Sequence, residues 1–117
     1  MGMTLAKLTI TGTEASRQVE LLVDTGSIYT WIAESTLSQI GAKSLGNRNF
    51  RTIEGREIVR KVGEAMLEFA GEKATRIVVF AELGDAEVLG GDSLEGLGLE
   101  VDPTTKRLKK VQAFIAY

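Results

Sequence analysis

The residues best suited to do chemistry stand together at Leu21-Leu22-Val23-Asp24-Thr25-Gly26-Ser27. An apolar run leads into a carboxylate, followed by a hydroxyl, a glycine and a second hydroxyl. Burying a lone carboxylate costs several kcal/mol unless donors surround it. Three donors are close in sequence: the backbone N–H of Gly26 and the side chains of Thr25 and Ser27. Gly26 tolerates positive φ, which lets its N–H approach the carboxylate. Asp24 is therefore expected to be held rigidly on a tight turn at the end of a core strand. The same residues also make a good β-turn, in which Asp24 would only cap its own backbone.

Composition narrows the chemistry. The 117 residues include no Cys and no His, which excludes a thiol nucleophile, an imidazole base and a disulfide framework. A zinc site would need an all-carboxylate ligand set, which is unusual, so neither a metal nor a cofactor is expected. A net charge of -2 gives no general attraction to nucleic acid or to an anionic membrane surface. The N-terminal residues MGMTLAKLTITGTEAS do not read as a signal peptide. The longest apolar run, Ile77 to Ala81, is far shorter than the roughly 20 residues that span a bilayer. A soluble protein of a reducing compartment, the cytoplasm, is expected.

The elements that must position Asp24 follow from periodicity. Thr4 to Thr11 alternates, with Ala6, Leu8 and Ile10 on one face, and predicts a half-buried strand. Gln18 to Val23 predicts a second strand whose apolar triplet lies deep, and Ile28 to Ile32 a third. Glu34 to Ile40 predicts a short helix stopped by Gly41. Phe50 to Val62 predicts a polar hairpin turning at Glu54-Gly55. Ala65, Leu67 and Phe69 alternate, a Gly71-Glu72-Lys73 turn follows, and Arg76 to Ala81 predicts a central strand. Asp92-Ser93-Leu94-Glu95 has the form of a capping box opening a helix that Gly98 closes. Leu108 to Val111 and Ala113 to Tyr117 predict two last strands after a turn at Pro103-Thr104-Thr105. One mostly-β domain spanning residues 1–117, with one or two short helices, accounts for the pattern.

LLVDTGS followed by YTWI resembles the active-site loop of the aspartic proteases. A second match, Glu87-Val88-Leu89-Gly90-Gly91-Asp92-Ser93-Leu94, lies about 60 residues on. It resembles the apolar-apolar-Gly segment and following helix of the retroviral-type, or retropepsin-like, members. The resemblance runs from about Leu5 to Val111 and implies a small closed-barrel-like acid-protease fold.

It also implies an activity. Acid proteolysis needs two carboxylates sharing one proton, and this chain holds one Asp-Thr-Gly motif. The implied enzyme is a homodimeric aspartic endopeptidase, a hydrolase in which Asp24 of each copy meets on a two-fold axis. Its substrates would be extended peptides or unfolded proteins. In this family the position of Thr25 hydrogen-bonds across the axis, and a hydroxyl at Ser27 would donate to the carboxylate and shift the pH optimum toward acid. The hairpin tip, Ile53-Glu54-Gly55-Arg56, corresponds to the substrate-covering flap, although it has one glycine among charged residues and also reads as an ordinary exposed hairpin. Trp31 suits either core packing or a pocket wall. The segment Gln112 to Tyr117 could pair within its own subunit or across a dimer. The acidic stretch 77–102 and the basic stretch 103–117 read as solvated faces or as patches setting register between subunits. The alternative to an enzyme is an inactive dimerisation or peptide-binding module on the same fold.

Overall fold

The computed structural model describes residues 3–111. In chain order these form β1 (Leu5–Thr11), β2 (Ser16–Asp24), β3 (Thr30–Ala33), α1 (Glu34–Gln39), β4 (Ser44–Arg51), β5 (Glu57–Phe69), β6 (Glu72–Ala81), β7 (Val88–Gly90), α2 (Gly91–Leu97), β8 (Leu99–Val101) and β9 (Leu108–Lys110). The main sheet has the order β1-β2-β7-β3-β6-β5-β4, and a further β1–β5 pairing closes six of its strands into a barrel. The mostly-β, closed-barrel architecture with two short helices matches the expectation. β4 stays outside the barrel, paired only to β5, and β8 and β9 make a separate hairpin.

Alternation on β1 aims Ala6, Leu8 and Ile10 into the barrel, where Leu21, Ile32, Leu67, Val78 and Leu89 meet them. Parallel pairing of β2 with β7 and of β3 with β6 carries Leu21, Ile32, Val78, Phe80 and Leu89 into the core, although most of β2 outside Leu21 stays exposed or half-buried. Each fully buried Leu or Ile costs about 2–5 kcal/mol when cut to alanine. The core therefore fixes the strand ends on which the candidate site is mounted. Leu37 of α1 and Leu94 and Leu97 of α2 seal it.

β5 is long because it serves two structures. Glu57 to Lys61 pairs only with β4, whereas Val62 to Phe69 joins the barrel between β6 and β1. Where β4 begins to diverge, Gly63 is required: a Cβ there would lie 2.4 Å from the Lys43 carbonyl oxygen. The hairpin turns at Gly55, whose φ of +85° suits glycine.

Several boundaries differ from the expectation. β3 begins at Thr30, and Ile28 is 70% exposed, because the Ile28 carbonyl accepts a hydrogen bond from the N–H of Asp92 and not from a neighbouring strand. Within the apolar triplet Leu21 is buried, but Leu22 and Val23 are only half-buried. β6 starts four residues before Arg76, at Glu72. Asp92 is not an N-cap: Gly90 takes that position without a side-chain cap, and the Asp92 carboxylate pairs with Arg76. Gly98, at φ +68°, does close α2. The basic segment folds back on its own acids, with Lys109 near Glu100 and Asp102 and Lys110 near Glu72. The strand expected at Ala113 to Tyr117 lies outside the described residues. No helix among the described residues is long and apolar enough to cross a membrane.

Candidate active site

β2 delivers Asp24 to the end of the barrel beside Gly90, its register partner on β7. The chain then turns sharply, with the Ser27 N–H donating to the Asp24 carbonyl at 3.1 Å. The Gly26 N–H donates to the Asp24 carboxylate at 3.0 Å. Asp24, Thr25 and Gly26 are all exposed at the surface of the single chain.

The loop is clamped from below. The N–H groups of Gly91 and Asp92 donate to the carbonyls of Ser27 and Ile28 at 2.7 and 2.8 Å. These amides begin α2 and have no partner within the helix, so helix and loop satisfy each other. Beneath them Thr30 and Ser93, both 0% exposed, share a hydroxyl hydrogen bond of 2.5 Å. Thr30 Oγ1 also accepts from the Gly90 N–H at 3.0 Å. Gly90 cannot be larger: a Cβ would lie 2.3 Å from the Tyr29 carbonyl oxygen. Arg76 pairs with Asp92 and anchors α2 to β6; this hydrogen bond, with the charge of Asp92 behind it, raises the Arg76 pKa above its usual value.

The structure thus brings Asp24, Thr25, Gly26 and Ser27 into one loop, with corrections: among the described residues neither the Thr25 nor the Ser27 hydroxyl donates to the carboxylate, and Gly26 does not take a positive φ. Ser27 does not reach the carboxylate; its hydroxyl donates to the Tyr29 carbonyl at 2.8 Å. The Gly26 amide is the donor that serves Asp24, and the reason for an acid-shifted optimum drawn from Ser27 falls away. The tip residues Ile53, Glu54, Gly55 and Arg56 are all exposed, and no hydrogen bond among the described residues ties them to the Asp24 loop.

The hairpin meets the loop lower down, at residues the sequence reading passed over. Phe50 packs edge-on against Trp31 at 5.0 Å and against Tyr29 at 6.3 Å. Arg48 lies 5.2 Å from the Tyr29 ring centre and donates to its hydroxyl. These side chains and Gly26 line a cleft of about 430 Å³ between β4 and the loop, so Trp31 both packs and forms a wall. The signal for Arg48 and Phe50 was their period of two along a polar segment. Thr30 and Ser93 are separated by 63 residues, and nothing local marks them as a pair.

Two further hollows flank Asp24. One, of about 420 Å³, is bordered by Asp24, Thr4, Val101 and Lys106. The other, of about 470 Å³, is lined by Thr25 with Leu94, Leu99, Val101 and Val111. Elsewhere on the hairpin, Arg60 of β5 grips Asp85 through two hydrogen bonds of 2.6 and 3.0 Å. That grip holds the Asp85 carboxyl below its usual range. Among the described residues no group of three or more acidic side chains is arranged to hold a metal ion. No family model matches the chain, and no curated protein matches it.

Proposed function

We propose that the protein is an aspartic endopeptidase of the retropepsin-like kind, acting as a homodimer in the cytoplasm. The observation that carries this reading is an exposed carboxylate on a loop immobilised from beneath, with one backbone N–H already aimed at it. A residue that merely capped a turn would not need the Gly90–Thr30–Ser93 support under it. A single carboxyl cannot at the same moment be ionised to activate a water and protonated to polarise the scissile carbonyl, so this reading calls for a second Asp24. The apolar hollow beside Thr25 supports the pairing, since Leu99, Val101 and Val111 border it on the same side of the loop.

In the dimer the ionised Asp24 takes a proton from a water held between the carboxylates. Its protonated partner hydrogen-bonds the scissile carbonyl oxygen, and the pair then protonates the leaving nitrogen. No covalent intermediate forms. The two carboxyls titrate as one unit with two macroscopic pKa values, giving a bell-shaped pH profile. The test is hydrolysis of unfolded casein beside the Asp24→Asn variant. A protein that binds peptides and self-associates but never cleaves them is the inactive module instead.

A further inference from the structure

The cleft between β4 and the Asp24 loop has a charge that the proposed chemistry does not use. Arg48 and Phe50 of β4 stand opposite Arg60 and Ile58 of β5 in the antiparallel register, so all four project from one face of the hairpin. β4 and β5 hold four basic residues, and three have carboxylate partners. Arg51 pairs with Glu57 at 3.2 Å, Arg60 with Asp85 at 2.6 Å, and Lys61 with Glu34 at 2.8 Å. Arg48 has none among the described residues. Among the described residues its one side-chain hydrogen-bond partner is the Tyr29 hydroxyl, and the Tyr29 ring lies 5.2 Å from the guanidinium carbon.

That arrangement suits recognition better than stability. A guanidinium has five N–H donors in a planar fork, and the phenol oxygen occupies one of them. The ring and the hydroxyl restrict the side chain, lowering the entropy lost when a ligand is bound. A carboxylate can then take the remaining donors without displacing an existing ion pair. The cleft also includes Gly26, whose N–H holds the Asp24 carboxylate, so an occupant would lie beside the reacting centre. Trp31 and Phe50 supply apolar walls for the rest of its side chain.

We propose that Arg48 is a specificity-determining residue, and that this cleft takes an acidic side chain of an extended peptide, two to four residues from the bond to be cut. The proposal rests on the reading of the Asp24 loop as a peptide-cleaving site, and its test separates the two. Binding is followed with the Asp24→Asn variant by the fluorescence of Trp31, the one tryptophan in the sequence, and by the anisotropy of a labelled peptide. The probes are apolar peptides with Glu, Gln or Lys at each of those positions, at about pH 6, where a Glu side chain is ionised.

At one of the positions the Glu peptide is expected to bind about tenfold more tightly than the Gln peptide, and the Lys peptide more weakly than either. Arg48→Gln should bring the Glu and Gln peptides to within about twofold of each other. No binding, equal binding of Glu and Gln peptides at every position, or a preference that survives in Arg48→Gln would overturn the proposal. The Glu and Gln comparison needs no substitution at Arg48, so it stands even if that variant folds poorly. Cleavage of the same peptides by the unaltered protein is measured in parallel. Preference without turnover retires the protease reading and leaves the acidic subsite standing; turnover without preference does the reverse.

Discussion

The Asp24 loop and the β4–β5 hairpin face each other across one cleft and are held in opposite ways. Backbone amides of α2, a buried hydroxyl pair and a glycine with no room for a methyl group fix the loop. Beyond Phe50 the hairpin depends on its own ladder and on an exposed Arg51–Glu57 pair, the kind worth at most about 1 kcal/mol. Its tip residue Ile53 is fully exposed. The contrast suits the proposed activity, in which proton transfer between two carboxylates needs positions fixed to a fraction of an ångström, whereas a strand that admits a peptide must open at low cost. The contrast follows from where burial is concentrated.

The contrast can be broken from the loop side first. Gly90→Ala drives a methyl group into the Tyr29 carbonyl and should cost about 3 kcal/mol, the upper end for overpacking, read from urea midpoints. Thr30→Val leaves Ser93 and the Gly90 N–H without their shared partner; a loss of about 2 kcal/mol is expected. On the hairpin side, Gly55→Ala meets open space and only the strain of positive φ, so about 1 kcal/mol is expected. Equal effects at Gly90 and Gly55 would dissolve the distinction. Hydrogen exchange sharpens it: the amides of Thr52 to Arg56 should exchange well before those of Gly90 to Asp92.

The Arg60–Asp85 contact ties the hairpin to the connection between β6 and β7 and is sensitive to acid. The hydrogen bond from Arg60 is the main cause of the lowered Asp85 pKa. A lowered folded-state value means that the contribution is complete above the unfolded value of about 3.9. It is lost as pH falls through the lower folded value. Asp85→Asn should therefore destabilise the protein near neutrality, by about 1–2 kcal/mol. The gap between variant and parent should close as the solution is acidified below that range, which thermal melts along a pH series would reveal.

Much of this was legible in the sequence, and the misses have physical causes. β1 was readable because one of its faces is buried, so alternation survives in Ala6, Leu8 and Ile10. The end of α1 and the hairpin turn were readable because Gly41 and Gly55 occupy positive-φ positions. β4 left little trace because nearly all its residues are exposed, and hydrophobic period cannot mark a strand with no buried face. Asp92 was misread as a cap because its partner, Arg76, is distant in sequence and no local pattern encodes that pair. The turn at Asp24 was legible because its loop is written in consecutive residues. Arg48, which lines the cleft together with Gly26 and Ser27, needed the register of β4 on β5 to be seen.

The central claim is that Asp24 is half of a proton-sharing pair supplied by two copies of the chain. Its most direct test is the hydrolysis of unfolded casein from about pH 3 to about pH 8, by the unaltered protein and by Asp24→Asn, over a dilution series. The expected result is a bell-shaped profile, activity per chain that falls on dilution, and a loss of about a thousandfold or more in the variant. Cleavage undiminished in Asp24→Asn would contradict the account, as would no cleavage at any pH under conditions where two copies are demonstrably associated.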